Sequence, residues 1–340
     1  MPSPLIRLHP YVFEARPRGI ARPGRIDNGC NMPYRGLSID MEGDCFLCHC
    51  DAYLPVAVAN ILDLKRLRDV WHDNSTSAYL QHNISEHRYT YCAVEHCGIL
   101  EHAVDMKQYE ISVNIDESCN LACPTCRRQP IMHQAGEIYQ RRLATVNHLV
   151  DLINDFDEPE GLQLTMSGNG DPLASAIMRP LILNWQPRSN HSVKLFTNGL
   201  LMRKLLPDSP IFPYIRHYQL SVDAGSREVY ERVRRPGRFS VLRDNLDWLA
   251  ANRPPDSQVL LFFCLSDGNV NDVKNFVDMC TEYGFQGGIT KLDNWYTFDD
   301  FDAHDVANPA HPMHSVALDQ LRAVWGTAGI NIPHTLTKLL

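Results

Sequence analysis

Residues 108–295 alternate between strand-like and helix-like runs, and this alternation limits the fold of the 340-residue chain more than any other feature. Strand-like runs lie at 109–115, 162–166, 193–197, 218–222, 259–265 and 288–292. Between the first two, Ile138, Val146, Leu149, Val150 and Ile153 recur at helical spacing within 137–156. Further helical patterns cover 226–234, 240–251 and 271–283. Parallel strands need a crossover between neighbours, and a helix supplies it, so the expected class is α/β with a parallel sheet, open or partly rolled into a barrel. In such sheets active sites gather at the carboxyl ends of the strands. The position of each motif relative to those ends therefore gives it meaning.

Cysteine is the second constraint. Of eleven cysteines, Cys30, Cys45, Cys48, Cys50, Cys92 and Cys97 form one group and Cys119, Cys123 and Cys126 another, while Cys264 and Cys280 stand alone. A long chain with an odd count fits a secreted disulfide scaffold badly and fits reduced, metal-binding thiolates better. The N-terminal stretch lacks the basic-then-apolar pattern of a secretory signal. No apolar run approaches the ~20 residues a membrane span needs. A cytoplasmic protein without a membrane partner is expected. Lys and Arg number 32 against 40 Asp and Glu, a net charge of −8. Without a long basic block, that balance argues against nucleic acid as a partner.

The chain divides by texture. Residues 1–29 are rich in Pro, Arg and Gly and read as an extended arm. Residues 30–105 read as a small cysteine-bearing module: a strand at 37–41, a turn at Glu42, Gly43 and Asp44, then 45–50, followed by a helix over 61–71. The strand–helix core fills 106–295, and 296–340, interrupted by Pro309, Pro312 and Pro333, reads as an irregular packed tail.

Directly after the first core strand, Cys119, Cys123 and Cys126 stand at x3 and x2 spacing. Three thiolates on one loop can face one metal centre and leave a coordination position open. A structural zinc takes four protein ligands, whereas a catalytic centre keeps one site free. Two readings follow: a [4Fe–4S] cluster with one free iron, or a zinc knuckle borrowing a ligand such as His133. The strand ends add to this. The second strand runs into Ser167, Gly168, Asn169, Gly170, Asp171 and Pro172, a turn where backbone can approach a ligand and a carboxylate can meet an ammonium group. The third ends in Thr197, Asn198 and Gly199, and the fourth in Ser221, Val222 and Asp223, ahead of Arg232, Arg234 and Arg235.

This series of motifs resembles the radical SAM superfamily over residues 108–295. The resemblance implies a partial (β/α)6 barrel whose three-cysteine loop holds a [4Fe–4S] cluster, with S-adenosylmethionine (SAM) chelating the open iron. It assigns the methionine amino group to Gly168, Asn169, Gly170 and Asp171, with Thr197 and Asn198 in the cofactor set, and ribose or carboxylate contacts to Ser221 and Asp223. Two positions depart from the common pattern. Asp171 stands where many members have Glu, and Thr125 occupies the place of an aromatic adenine contact, which leaves that contact unassigned. The implied reaction is reductive SAM cleavage to a 5′-deoxyadenosyl radical that abstracts a substrate hydrogen atom. It requires an external one-electron reductant such as flavodoxin or ferredoxin. The substrate class favoured is a peptide or protein side chain, ahead of a small molecule.

In front of the core, Cys30, Gly43, Cys48, Cys92 and Cys97 resemble a SPASM/twitch domain, which implies a second, auxiliary Fe–S cluster on Cys30, Cys48, Cys92 and Cys97. Cys45 and Cys50 compete with Cys48, which is preferred for its distance from Gly43. His49 and His96 are less usual ligands, and a four-cysteine zinc site is the alternative. Cys264 and Cys280 lie in an apolar strand and a helix and read as inert buried thiols. The His311 and His314 pair reads as surface. A non-catalytic Fe–S or zinc protein for electron transfer or scaffolding would explain both cysteine groups but not the ordered strand-end motifs.

Overall fold

The computed structural model of the chain describes residues 7–8, 30–48, 54–92, 97, 106–167, 169–333 and 336. They form two compact units. One holds the chain up to Glu117 with His133–Asn169 and Ala176–Val193, and the other holds Ser118–Met132, Gly170–Ser175 and everything from Lys194 onward.

The first unit contains β1 (Arg7–Leu8), α1 (Met32–Arg35), β2 (Gly36–Ile39), β3 (Asp44–Phe46), β4 (Val56–Asn60), α2 (Asp69–His72), α3 (Ser75–Ser85), β5 (Tyr109–Val113), α4 (Gly136–Asn154), β6 (Leu162–Met166) and α5 (Arg179–Leu183). Its strand order is β1-β4-β3-β2-β5-β6. The β2–β3 hairpin pairs Ser38 with Phe46 and Ile39 with Cys45. Its turn requires Gly43: φ is +82°, and a Cβ there would press on Ile61, Thr145 and Asn60 at 3.2–3.3 Å.

The cysteine module is not a separate body. β2 pairs in parallel with β5, Leu37 opposite Ile111 and Ile39 opposite Val113, so residues 30–92 share one sheet with the first core strand. The contact division accordingly runs elsewhere than the boundary read near residue 105. Trp71 seals the join. Its ring lies 4.9 Å from Tyr109 and 6.3 Å from Phe156, and its Nε1–H donates to the Gly36 carbonyl at 3.1 Å.

The helix expected over 61–71 is broken. Asn60 caps only a short 3-10 turn at Ile61–Asp63, because Leu64 is extended and its carbonyl bonds His148 of α4 at 2.9 Å rather than an amide further along. The helical residues of this region lie instead in α2 and in α3, where Asn74 accepts the Ser77 N–H as N-cap. In α4 the buried face is Val146, Leu149, Val150, Leu152 and Ile153, while Ile138 is left 43% exposed.

The second unit holds β7 (Ser192–Thr197) from Lys194 on, α6 (Met202–Leu205), β8 (Ile215–Ser221), α7 (Arg227–Val233), α8 (Phe239–Asn252), β9 (Gln258–Leu265), α9 (Val273–Tyr283), β10 (Gln286–Lys291), α10 (His314–Val324) and β11 (Ile330–Asn331). Strands follow one another as β7-β8-β9-β10-β11, and β8–β9, β9–β10 and β10–β11 are parallel. Val259, Leu261, Phe263 and Leu265 of β9 are buried, and Phe263 meets Phe276 of α9 at 5.0 Å. The tail is more regular than its prolines suggest. Ala317, Leu321 and Val324 fall at i, i+4 and i+7 and bury one face of α10. His311 and His314 are engaged within this segment, His311 Nε2 with the Ala303 carbonyl at 3.0 Å and His314 Nδ1 with that of Val306 at 2.9 Å.

His191 gives the first unit a pH dependence. It is 3% exposed and stacks on Trp185 at 5.9 Å. Nδ1 accepts the Arg188 N–H at 3.2 Å, and Nε2 has no partner among the described residues. Burial, then the charge of Arg188, holds its pKa down to about 4, against the ordinary 6.5. The unfolded chain takes up the proton first, so this contribution is complete above pH 6.5 and is lost as pH falls toward about 4. Urea unfolding across that window is expected to weaken with acid in the parent and less so in His191→Gln. Equal slopes would contradict the assignment.

Candidate metal and cofactor site

In the second unit the loop carrying Cys119, Cys123 and Cys126 is fastened at both ends and in the middle. Its ends meet in a bridge between Cys119 and Ile131, with the Cys119 N–H donating to the Ile131 carbonyl at 2.8 Å. A tight turn then folds Cys126 back, its N–H donating to the Cys123 carbonyl at 2.9 Å. The Asp171 N–H donates to Ser118 O at 2.8 Å, and the Ala122 N–H donates to Arg235 O at 2.6 Å.

Polar hydrogens reach all three sulfurs, that of Cys126 through the Arg127 side chain. Cys119 Sγ accepts from the Leu121 N–H at 3.4 Å and from Asn198 Nδ2 at 3.8 Å. Asn198 Nδ2 also donates to Asn120 Oδ1 at 2.8 Å. Cys123 Sγ accepts from Arg234 at 3.5 Å, and Arg127 faces all three sulfurs. Cys123 is buried, Cys119 half-buried and Cys126 exposed. Burial, then the Asp171 charge, pushes the Cys119 thiol up to about 11, partly offset by the Leu121 N–H and Arg127. Burial raises Cys123 as well, opposed by Arg234.

Arg234 is itself held by an acid. Its guanidinium pairs with Asp223 Oδ2 at 2.7 Å, with the two side chains 12% and 7% exposed. Asp223 Oδ1 accepts the Cys264 N–H at 2.7 Å, and Asn269 donates to the Asp223 carbonyl at 3.0 Å. The turn continues tightly: a Cβ on Gly225 would lie 2.0 Å from the Asn275 backbone, and Asp272 accepts the Gly225 and Ser226 N–H groups at 2.7 and 2.9 Å. Ser221 ends β8 half-buried, in register with Phe262.

Asp171 presents a different picture from an open carboxylate facing an ammonium. It is 3% exposed. Oδ1 accepts the Leu173 and Ala174 N–H groups at 3.0 and 3.2 Å. Oδ2 accepts Thr197 Oγ1 and the Asn198 N–H at 2.8 and 2.7 Å. Burial raises its pKa, and these donors oppose the rise. Asp171, Thr197 and Asn198 thus form one strut between the glycine turn and the end of β7. Asn169 is exposed and Gly170 half-buried, while Gly168 lies outside the described residues. Thr125 is half-buried.

The sequence reading gave no role to Asn120, Arg127 or Arg234. The signal for Arg234 was a run of arginines following the fourth-strand acid, but only the fold brings one of them onto a cysteine. Arg127, Arg128 and Arg235 also line a cleft with Ala122, Pro124, Thr297 and Phe298. Beyond β10, Trp295 and Tyr296 are 66% and 87% exposed.

In the first unit Cys30, Cys48, Cys92 and Cys97 line a single pocket, walled by Met32, Pro33, Leu47, Leu54, Ile84 and Tyr89. Burial raises the Cys92 thiol, and Cys48, Cys30 and Cys97 add to the rise. Cys45 is absent from the described lining. It is buried on β3, with Sγ against the Gly43 carbonyl at 3.8 Å. Cys50, His49 and His96 lie outside the described residues. His133 is engaged with Glu117 at 3.1 Å. Cys264 meets the Lys291 carbonyl at 3.6 Å, and burial pushes Cys280 up to about 12.

The donor sets suit iron–sulfur clusters. The loop offers three soft thiols, with only neutral side chains at Asn120 and Thr125 between them. Arg234 Nε and the Tyr230 hydroxyl, both buried, have no acceptor among the described residues, and cluster sulfides are acceptors. Also among the described residues, no three His, Cys, Asp or Glu side chains gather closely enough to share one ion. A cube of iron and sulfide spans a wider set of sulfurs than one ion does.

No family model matches the chain. The mycofactocin maturase MftC of Mycobacterium ulcerans (strain Agy99) is 24% identical over 175 residues, which is 52% of this chain and 45% of the maturase. The chain therefore spans less than half the length of that relative. Among solved structures, SuiB of Streptococcus suis aligns over 81% of this chain and 58% of its own, at 11% identity and TM-score 0.44. Archaeal TYW1 aligns over 58% and 67%, at 14% identity and TM-score 0.32.

The strut makes a prediction. Replacing Asp171 by Ala leaves four donors unmatched and is expected to cost about 2–4 kcal/mol of stability before any ligand is added. Denaturant unfolding of the ligand-free protein reads this. Unchanged stability with lost SAM affinity would instead make Asp171 a direct cofactor contact.

Proposed function

We infer that this chain is a radical SAM enzyme, and that it uses the second unit's cysteine loop to cleave SAM and the first unit's four-cysteine pocket to hold an auxiliary cluster. The observation that carries the reading is the anchoring of the three-cysteine loop. Of the groups fastening it, Asp171 and Asn198 belong to strand-end motifs that the sequence sets in radical SAM order, and Arg234 is held by the strand-end acid Asp223. The kinship with a maturase supports the same reading.

Cys119, Cys123 and Cys126 would hold a [4Fe–4S] cluster, which when bound would supply the electron for reductive cleavage of SAM at its C5′–S bond. The protein's own part is placement. Leu121 and Asn198 orient Cys119, and Arg234, itself fixed by Asp223, holds Cys123 and offsets the negative charge that thiolates bring. The methionine amino group falls to Gly170 and Asp171 of the glycine turn. Asp171, Thr197 and Asn198 keep that turn in place, and the Ser221 hydroxyl meets the ribose or carboxylate. Asp223 contributes through Arg234.

The substrate is a peptide or protein side chain, consistent with kinship to a maturase, and it loses a hydrogen atom to the radical. The electron comes from an external carrier of the flavodoxin or ferredoxin kind. Cys30, Cys48, Cys92 and Cys97 would hold an auxiliary cluster, whose chemistry would be to accept the electron left on the substrate and so make the net reaction an oxidation. Among the described residues no helix is long and apolar enough to cross a membrane.

Anaerobically purified protein is expected to carry about eight irons, four per cluster, and to release 5′-deoxyadenosine from SAM when reduced. Cys126→Ala should abolish that release. The double variant Cys30→Ala/Cys48→Ala should keep about four irons and SAM cleavage but form no product. Zinc in place of iron, or iron without SAM cleavage, would favour a scaffold or electron carrier instead.

A further inference from the structure

We propose that Tyr89 donates a hydrogen bond to the cluster held by Cys30, Cys48, Cys92 and Cys97, and thereby sets that cluster's reduction potential. The proposal rests on the four-cysteine reading above and adds a role for a residue that the reading leaves unused.

Tyr89 lines the four-cysteine pocket and is 5% exposed. Its ring packs with Ile84, and Cys30 and Cys92 lie against this pair. The backbone that delivers it is unusual. His87 and Tyr89 have φ of +55° and +44°, a left-handed region that residues with side chains rarely adopt and that persists only where the surroundings enforce it. Hydrogen bonds hold the turn: the His87 N–H donates to Ile84 O and the Arg88 N–H to Asn83 O, each at 2.9 Å. The Cys92 N–H donates to Tyr89 O at 3.0 Å, so one residue both seats a cysteine and faces the pocket.

Its hydroxyl is buried and has no hydrogen-bond partner among the described residues. Native proteins rarely leave such a group unmatched. The Cys30 N–H favours negative charge on the Tyr89 oxygen without reaching hydrogen-bond geometry. What the hydroxyl lacks is an acceptor for its own proton. Besides the cysteines, Met32, Pro33, Leu47, Leu54 and Ile84 line this space, and none of their side chains is a strong acceptor. Thiolate and sulfide sulfurs are. Donation to them stabilises the more electron-rich, reduced cluster and raises its potential. That would suit a cluster required to accept an electron from a substrate radical.

Tyr89→Phe keeps the ring and removes only the hydroxyl. An EPR-monitored redox titration of the full chain carrying both clusters should show two signals, one of which responds to SAM. In Tyr89→Phe the midpoint of the SAM-silent cluster is expected to move to more negative potential while the SAM-responsive one stays in place. Pulsed EPR in D2O should show an exchangeable deuteron coupled to the SAM-silent cluster in the parent and lost in the variant. An unmoved midpoint with an unchanged deuteron signal overturns the proposal and leaves the four-cysteine reading standing. Protein with only the SAM-responsive signal overturns that reading and this proposal with it.

Discussion

The site depends on how one short loop is held. Three cysteines within eight residues can face many ways unless the chain around them is fixed. Here the backbone of Asp171, the side chain of Asn198 at the end of β7, and Arg234 and Arg235 at the end of α7 fix it. Asp171 is buried and held by Thr197 and its neighbours' amides, and the half-buried Arg234 is held by Asp223. A ligand loop held in this way presents its sulfurs in one arrangement before metal arrives. On the proposed reading, the chain rather than the metal would decide which coordination position stays open.

The same logic appears in another form in the first unit. There the four cysteines line one apolar pocket, and the strands beside them are stitched to the core by β2 pairing with β5 and by Trp71 against Tyr109. A small module could not bury enough surface to be stable alone. Sharing a sheet removes that burden. Gly43 makes the hairpin turn possible.

Much of this was readable from residues alone. The six core strands and four helices follow from periodicity, because their apolar faces are regular and their ends are marked by glycine and polar turns. The three-cysteine loop and the strand-end motifs were visible as patterns. The inner workings of the site were not. Asp171 looks in sequence like a free carboxylate, yet its four partners come from residues up to 27 positions away. Arg234 looks like one arginine among several, and only the turn after Asp223 brings it to Cys123. The helix read over 61–71 failed because His148, some 84 residues on, competes for the Leu64 carbonyl. The tail's helix was hidden by its prolines. For Asp171, Arg234 and Leu64 the deciding contact is long-range, and local pattern does not encode it.

On the proposed reading, the loop leaves one iron unliganded by protein, and SAM occupies it. EPR of the reduced, oxygen-free protein, recorded before and after SAM is added, tests this most directly. A change in the signal of one cluster, absent when Cys126 is replaced by Ala, is the predicted result. A cluster spectrum indifferent to SAM, or no iron at this loop, would contradict it.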